Sequence, residues 1–379
     1  MLMSEKIAFI AIGQAGGNIV KDLENITLEL FKTNDINAFY VNSSLDDLDA
    51  CEAPLDKRYH IAGVKGLAKD QDYAYEVITS NENDDKIADA IYNKYANAKI
   101  YFLVGSSSGA TGGGTMNQIA IKLKEFYPDK IINIITIKPH KEEDMKMQYN
   151  SKKCLSKLKQ SVEDGILTNI QLLDNDKFEF GKKLELNKRY VRLLSKIIHL
   201  DVISKEGNLD EEELERLFTR VGIMSLHEIQ NSDFKTNISN FENNSLFFKH
   251  SKTAETHGLI LNTSNNNSES LKLIRENFGV PIETHSIFWD EETNIIVTSG
   301  IEFTDEVLQE LNNNYSNLKK MRDEINSKYI SNKSEIVEVD FSDMIEQSKQ
   351  PRETNTQSSQ PQMVTRGRRG KKLQGQLNK

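Results

Sequence analysis

Features that define several common protein classes are scarce or absent in this chain of 379 residues. It holds two cysteines, Cys51 and Cys154, and neither a CxxC pair nor a His/Cys cluster, which argues against a disulfide framework and a zinc site. We expect both to be free thiols in a reducing cytoplasm. No run of 18 apolar residues occurs, so the sequence predicts no transmembrane helix. The short apolar run Ile7–Ile12 ends in glycine and is unlike a secretory signal.

Charge is unevenly distributed along the chain. The net charge is −9, yet the segment Pro351–Lys379 contains seven Lys or Arg residues and a single acid. An acidic body argues against a core that binds duplex nucleic acid. The basic segment indicates a separate contact with a partner, and its Ser, Gln, Pro, Arg and Gly composition predicts disorder in isolation.

Short apolar runs alternate with helical stretches in the first half of the chain. These runs are continuous rather than alternating and are rich in β-branched residues, which is typical of strands buried on both faces. The predicted strands are Ile7–Ile12, Ala38–Val41, Ile100–Val104, Ile131–Ile137 and Ile170–Leu173. The predicted crossover helices are Asp22–Lys32, Asn83–Ala96 and Thr115–Phe126. The pattern predicts an α/β fold with a doubly wound parallel sheet.

The second half changes in character. From Lys182 to Leu200 apolar residues recur at helical spacing without glycine or proline, which predicts one long amphipathic helix. A shorter helix, Glu211–Leu217, follows. Further on, three strand-like runs and a helix predict a smaller α+β domain, with a final helix after it: Gly258–Asn262, Thr284–Trp289, Asn294–Thr298, Glu269–Phe278 and Thr304 to about Tyr329.

We therefore expect five parts along the chain. They are an N-terminal α/β domain over 1–181, a central helix over 182–205, a C-terminal α+β domain over 206–300, a C-terminal helix over 301–335 and a flexible basic tail over 336–379.

Two glycine-rich loops carry the strongest chemical signal. The first, Gly13–Asn18, follows the strand Ile7–Ile12, and the second, Gly105–Thr115, follows the strand Ile100–Val104. Glycine lets the backbone turn sharply and approach a ligand closely. A helix N-terminus then offers free N–H groups and partial positive charge to phosphate oxygens. Two such loops on neighbouring strands predict a site for a molecule with several phosphates.

The two commonest nucleotide motifs are incomplete. No stretch has the GxxxxGK[ST] pattern of a Walker A loop. In the first loop Ala15 stands where a dinucleotide fold has its second glycine, and the second strand ends at Asn42 instead of a ribose-binding acid.

A different nucleotide family fits these residues better. Ser108–Gly114 matches the signature [SAG]-G-G-T-G-[SA]-G except at Ala110 and Gly113. On this motif, the chain resembles the tubulin/FtsZ superfamily of GTP-dependent filament proteins over about residues 5 to 300. The other family motifs follow in order: Gly13–Asn18, Asn42–Ser44, Gly63–Asp70, Lys138–Glu143, Asn175–Asp176, the core helix Lys182–Leu200 and the synergy loop Asn208–Glu213.

The resemblance implies which residues bind the nucleotide. It implies GTP or GDP, with Mg²⁺ held through phosphates and water and not directly by side chains. Asn187 matches the base-contacting asparagine of the core helix. The implied contacts are Gly13, Gln14, Ala15, Asn18, Asn42, Gly66, Lys69, Gly109, Ala110, Thr111, Gly112, Gly113, Pro139, Glu143, Asn175 and Asn187.

The resemblance also implies a catalytic site shared between subunits. Asp210, Glu213 and Asn208 would act on the GTP of the neighbouring subunit in a head-to-tail filament. The residues alone leave another explanation open, because acids are favoured at the start of any helix.

The polar final helix and basic tail resemble the plasmid- and phage-encoded TubZ branch, whose filaments segregate DNA. This implies that Pro351–Lys379 engages a DNA-bound adaptor of the TubR type in the cytoplasm of a bacterial host, without a membrane contact. Direct DNA contact would be weak or indirect, because the tail has no aromatic residue for base stacking. Three alternatives stay open: a division filament, a filament that positions phage DNA, and a nucleotide-binding module that does not polymerise. The choice of GTP over ATP rests on resemblance.

Overall fold

The computed structural model describes residues 3–62, 64, 67, 69–200 and 209–333. The predicted site residues Gly66 and Asn208 and the predicted basic tail lie outside the described residues. The chain divides into two units, Met1–Glu324 and Ile325–Lys379. The site and all contacts discussed below belong to the first unit. In the second, residues 325–333 are helical.

A single sheet of ten strands runs through the described part of the chain, in the order β3-β2-β1-β4-β5-β6-β7-β10-β8-β9. The strands β1 to β7 pair in parallel, whereas β10 is antiparallel to both β7 and β8. The strands are β1 Ile7–Ile12, β2 Asn37–Asn42, β3 Arg58–His60, β4 Ile100–Ser106, β5 Ile131–Lys138, β6 Asn169–Asp174, β7 Gly222–Gln230, β8 Thr256–Asn262, β9 Glu283–Trp289 and β10 Thr293–Ile301.

Helices cover both faces of this sheet. They are α1 Met3–Lys6, α2 Gly13–Phe31, α3 Leu45–Ala50, α4 Gln71–Thr79, α5 Asn83–Tyr95, α6 Ala110–Phe126, α7 Met145–Glu163, α8 Lys183–Ile198, α9 Glu211–Thr219, α10 Phe234–Ser239, α11 Phe241–Asn244, α12 Ser268–Phe278 and α13 Glu306–Lys333. None of the helices in the described ranges is long and apolar enough to cross a membrane.

Alternate residues of each parallel strand enter two different cores. In β1, Phe9 packs with side chains of α2 and α8, while Ile10 packs with side chains of α5 and α6. The side-chain period of two therefore buries both faces of the strand, which explains the continuous apolar runs in the sequence. The predicted doubly wound α/β fold is confirmed.

The predicted strands and the central helix are confirmed, with shifts of one to three residues at most ends. Two helix starts were predicted too late. The helix expected from Asp22 begins at Gly13, and the helix expected from Thr115 begins at Ala110. In both, the glycines of the loop form the first helical turns, because they pack tightly on the sheet.

Two strands, β3 and β7, were missed in the sequence. β7 lies between β6 and β10, so the sheet continues without a break from the first predicted domain into the second. Its polar residues Ser225, His227 and Glu228 interrupt the apolar pattern, although the first two are buried.

Candidate nucleotide site

The loops that follow five parallel strands lie at one edge of the sheet. Because β1, β2, β4, β5 and β6 are parallel, their carboxyl ends meet there. The loops begin at Gly13, Ser43, Ser107, Pro139 and Asn175. The structure thus brings the predicted nucleotide motifs of the first half to one edge, apart from those residues of the motif Gly63–Asp70 that are not described.

The N-terminus of α6 offers backbone donors at this edge. Gly109 is the N-cap residue and supplies no side-chain cap, so the N–H groups of Ala110, Thr111 and Gly112 have no acceptor within the helix. The N–H of Gly113 donates to the Gly109 carbonyl at 3.2 Å. Gly113 was predicted to contact phosphate, but its N–H is committed to the first helical hydrogen bond.

The glycines at both helix starts permit close packing. Gly13 has a φ of +73°, and a Cβ there would lie 3.2 Å from the Gly112 nitrogen and from the Thr111 Cβ. A Cβ on Gly16 would overlap the Val104 carbonyl. A Cβ on Gly113 would overlap the Gln71 amide and the Ser107 carbonyl. The two glycine loops are therefore in direct contact, as a shared phosphate site requires.

Two amide side chains hold the second loop in place. Gln71 is buried, and its Nε2 donates to the carbonyls of Ser107 at 2.8 Å and Gly109 at 3.0 Å. Asn150 Nδ2 donates to the carbonyls of Ser108 at 3.2 Å and Lys69 at 2.9 Å. Sequence reasoning missed both residues, because an isolated amide on a helix carries no recognisable motif.

The residues predicted in the motifs Asn42–Ser44 and Gly63–Asp70 have different surroundings. Asn42 is buried and accepts from the Ser44 N–H at 3.2 Å, while the neighbouring Ser43 Oγ lies 3.1 Å from Thr111 Oγ1. Lys69 was predicted to contact phosphate. In the structure its ammonium pairs with Asp144 at 2.9 Å. Desolvation, the largest single effect, raises the pKa of Asp144, but the hydrogen bond and charge of Lys69 and the backbone N–H groups of Met147 and Lys146 together lower this pKa.

A cavity of about 180 Å³ lies beside the loops that follow β5 and β6. Glu143 and Asn175 line it together with His140, Phe180 and Lys183, and Pro139 is buried beside His140. Of the first-loop residues, Gln14 is exposed, while Ala15 and Asn18 are half-buried on α2, which packs against α8.

Two predicted base contacts have buried oxygens without partners. Among the described residues, no donor reaches Asn175 Oδ1 or Asn187 Oδ1. α8, which carries Asn187, contacts the turn Asn175–Lys177. A buried polar atom left unpaired costs roughly 1–3 kcal/mol. The pair therefore fits a ligand that donates hydrogen bonds, and a purine base with N–H groups has this property.

A buried lysine lies beneath the same loops. The Lys138 ammonium has no solvent exposure and lies 3.1 Å from Asp174, 2.5 Å from Asp176 and 2.5 Å from Glu310. Desolvation alone would lower the pKa of Lys138, but the three carboxylates raise it above its usual value. The cluster joins the ends of β5 and β6 to α13.

The predicted catalytic acids begin α9. The Asp210 carboxylate accepts from the Glu213 N–H at 2.8 Å, and the Glu213 carboxylate accepts from the Asp210 N–H at 3.2 Å, which forms a capping box. The other Glu213 oxygen lies 3.1 Å from His285 Nδ1. Asp210 is exposed.

These acids lie at the edge of the sheet opposite the nucleotide loops. Lys6 precedes β1 and pairs with Glu211 at 2.6 Å and Glu215 at 3.1 Å, and Lys99, which precedes β4, also pairs with Glu215. A strand of six residues spans roughly 20 Å. The acids and the nucleotide loops of one molecule are thus about a strand length apart.

Among the described residues no group of three or more His, Cys, Asp or Glu is arranged to hold a metal ion.

Comparison with known proteins shows which family these features resemble. Residues 6–178 match the family model described as Tubulin/FtsZ family, GTPase domain. The chain is 28% identical over 328 residues to the tubulin-like protein TubZ of Clostridium botulinum C phage, which covers 86% of this chain and 87% of that protein. The resemblance predicted from the motifs is confirmed.

Solved structures agree. The C. botulinum phage c-st TubZ, with its C-terminal tail truncated, superposes with a TM-score of 0.73 at 26% identity, covering 84% of this chain and 99% of that chain. A GTPγS-form protofilament of Bacillus thuringiensis serovar israelensis TubZ has a TM-score of 0.72 at 16% identity, covering 85% of this chain and 94% of that chain. The latter likeness concerns the fold.

Proposed function

We propose that the chain hydrolyses GTP and assembles head to tail into filaments, and the match of residues 6–178 to the Tubulin/FtsZ family GTPase domain supports this. Each active site would be completed by two subunits. One subunit supplies the nucleotide loops, and the next supplies Asp210 and Glu213.

The observation that carries this proposal is the placement of the two sets of residues. The loops lie at the carboxyl edge of the parallel strands, and the acids lie at the amino edge, beside Lys6 and Lys99. A catalytic group must come within hydrogen-bond reach of the atom on which it acts. Within one molecule the separation of roughly 20 Å prevents this. Stacking of one molecule on another brings the two edges together.

The surfaces at the two edges suit such stacking. Exposed apolar side chains lie near the amino edge at Val221, Val280 and Ile282 and near the carboxyl edge at Leu45, Phe180 and Leu184. The two patches differ, so a contact between them is heterologous, unlike the self-complementary contact of a two-fold dimer. A heterologous contact generates a filament where its rotation does not close into a ring, and the protofilament of the Bacillus thuringiensis TubZ supports such an assembly.

The chemistry follows from the groups at each edge. The N–H groups of Ala110, Thr111 and Gly112 stabilise charge on the phosphates. Mg²⁺, carried on the phosphates, would neutralise part of their negative charge. Asp210 and Glu213, with Asn208, orient the attacking water of the neighbouring site. Guanine presents two adjacent N–H donors, which suit the two unpaired oxygens of Asn175 and Asn187.

The biological role proposed is segregation of plasmid or phage DNA. The similarity to phage TubZ supports it. The tail Pro351–Lys379 would bind a TubR-like adaptor on DNA through its basic charge. The second candidate is a division or phage-positioning filament, which has the same chemistry and a different partner.

Phosphate release measured against protein concentration, with light scattering on the same samples, tests the shared site. We expect a GTP-selective rate that appears only above a threshold concentration. Asp210→Ala should still assemble and hydrolyse slowly, giving longer-lived polymers. ATP serves as the control nucleotide. A specific activity independent of concentration, without scattering, would leave a nucleotide-binding protein that does not polymerise.

A further inference from the structure

A histidine on β9 contacts the acidic start of α9. His285 Nδ1 lies 3.1 Å from Glu213 Oε1, and the His285 side chain is 11% exposed. The second Glu213 oxygen accepts the N–H of Asp210 at 3.2 Å. Both oxygens of this carboxylate are therefore engaged, one within α9 and one across to the sheet.

The packing of α9 fixes this contact. Leu217 lies one turn after Glu213 on the same face of α9. A Cβ on Gly258 would overlap the Leu217 side chain, so α9 rests directly on β8 at that glycine. Gly258 is the strand partner of His285 in the β8–β9 pair. Ser299 Oγ donates to the Leu217 carbonyl at 2.6 Å and secures the helix to β10.

We infer that His285 is a positioning residue for the catalytic acids: its ring holds the Glu213 carboxylate and, through the capping box, the start of α9 that carries Asp210. The inference rests on the proposed function of these acids. His285 touches no nucleotide of its own subunit, because it lies at the opposite edge of the sheet. It acts through Glu213 on the site of the neighbouring subunit.

The charged groups around His285 keep it in this orientation. Glu283 lies 3.6 Å from its other ring nitrogen, on the same strand. Glu283 in turn pairs with Arg220, at the end of α9. Hydrogen bonding from Arg220, the largest cause, lowers the pKa of Glu283, with Arg216 contributing charge. The ring thus lies between two carboxylates, of which Glu213 is the one within hydrogen-bond distance.

This position has a geometric consequence for hydrolysis. The side chain of Glu213 can adopt several rotamers. If only one of its carboxylate oxygens is held, it can leave the orientation needed for catalysis. Removal of the imidazole removes the contact from the sheet and leaves the capping box alone. The rate of the chemical step then falls, while the apolar surfaces that drive assembly are unchanged.

The test compares three variants in the assembled state. His285→Leu removes the contact, and His285→Asn places an amide N–H close to the position of Nδ1. Thr284→Ala is the matched control, because Thr284 is exposed and directly precedes His285 on β9. The measurements are kcat for GTP in polymer, the threshold concentration for assembly and the affinity for GTP.

We expect His285→Leu to lower kcat roughly ten-fold, the loss associated with one hydrogen bond to a charged group. The threshold concentration and the GTP affinity should stay within about two-fold of wild type. His285→Asn should recover most of kcat, and Thr284→Ala should behave as wild type. In a Glu213→Gln background, His285→Leu should cause little further loss, since the two residues act as one unit.

Two results would overturn the inference: wild-type kcat in assembled His285→Leu, or His285→Asn as slow as His285→Leu. If His285→Leu fails to assemble, the decision rests on His285→Asn, which must assemble and turn over faster than Glu213→Gln. Asp210→Ala in the same assay separates the two proposals. A fast Asp210→Ala contradicts the shared site itself, whereas a slow Asp210→Ala with a fast His285→Leu contradicts only the role of His285.

Discussion

Two asparagine oxygens, on Asn175 and Asn187, are buried without a hydrogen-bond partner among the described residues. The nucleotide-free protein tolerates a missing hydrogen bond of this kind when a bound ligand supplies the donor. Asn187→Leu should therefore leave the nucleotide-free protein as stable as wild type or slightly more stable. It should also lower GTP affinity by roughly ten-fold or more. Thermal unfolding with and without GTP measures both effects.

Lys188→Ala, on an exposed position of α8 next to Asn187, is the control. It should keep the thermal shift caused by GTP. Loss of stability in nucleotide-free Asn187→Leu, with an unchanged GTP shift, would make this asparagine a structural residue.

Lys138 is the second residue whose role can be tested alone. Lys138→Met leaves the carboxylates of Asp174, Asp176 and Glu310 without their cation and should cost roughly 3–5 kcal/mol of unfolding free energy at pH 7. Desolvation already raises the pKa of Asp174, although Lys138 opposes it.

Removal of the lysine cation should raise the pKa of Asp174 further. A group with a raised folded pKa stabilises the fold most at low pH and loses that contribution as pH rises. The loss of unfolding free energy caused by Lys138→Met should therefore become smaller as the pH falls from 7 to 5. Denaturant unfolding at both pH values, with the exposed Lys188→Ala as the reference, measures it. A deficit that does not change with pH would contradict this explanation.

At the scale of elements, the start of α6 shows which glycines are structural. A Cβ on Gly113 would overlap Gln71 and Ser107, whereas the nearest atom to a Cβ on Gly109 is 3.9 Å away. Gly113→Ala should destabilise the nucleotide-free protein by roughly 1–3 kcal/mol through overpacking. Gly109→Ala should leave it close to wild type. Thermal unfolding of the pair checks this, and equal stabilities would contradict the close packing.

The elements also show how far sequence reasoning reaches. The apolar strands, such as Ile7–Ile12, were predicted because burial on both faces leaves a continuous pattern. β7 was not predicted, because the burial of its polar residues His227 and Ser225 depends on contacts with β10 and α11. The glycine loops were found from their composition. Their helical start at Ala110 was not, because it depends on packing against Gln71.

The candidate site also contains residues that sequence reasoning predicted and residues that it missed. The motif residues at the carboxyl edge, such as Thr111 and Asn187, were predicted from resemblance. Gln71, Asn150 and His285 were missed, because each acts through a contact across more than 30 residues of sequence. The pairing of Lys69 with Asp144 also depends on the fold.

At the scale of the whole molecule, three histidines with buried ring nitrogens predict acid sensitivity. Desolvation lowers the pKa of His227 to about 3 and of His250 and His257 to about 4. The unfolded chain protonates these residues near their usual pKa, so it binds more protons than the native state between about pH 6.5 and pH 4. The contribution of these neutral histidines to the free energy of unfolding is therefore fully present above about pH 6.5 and is lost as the pH falls.

Each of these histidines contributes up to about 1.4 kcal/mol per pH unit in that range. His227→Phe, among Phe241, Phe247 and Phe278, should reduce the slope by the share of one proton. Denaturant unfolding from pH 7.5 to pH 5 measures the slope. An unchanged slope in His227→Phe would contradict the assignment.

The predicted tail gives a further test of the whole chain. Deletion of Pro351–Lys379 should leave assembly-coupled GTP turnover close to wild type and abolish binding to an adaptor–DNA complex. Sedimentation with adaptor-bound DNA measures the second effect. Full binding by the truncated protein would exclude the tail as the contact.

The most direct measurement of a shared active site mixes two variants that are each impaired in GTP hydrolysis. Asp210→Ala keeps the nucleotide loops and lacks a catalytic acid. Ala110→Asp keeps the acids and places a carboxylate where phosphate would bind, at a helix start that favours a negative charge. A site built from two subunits predicts that each variant alone hydrolyses GTP slowly or not at all and that the mixture hydrolyses it faster than either. A mixture no faster than its parts, with both variants present in the polymer, would contradict it.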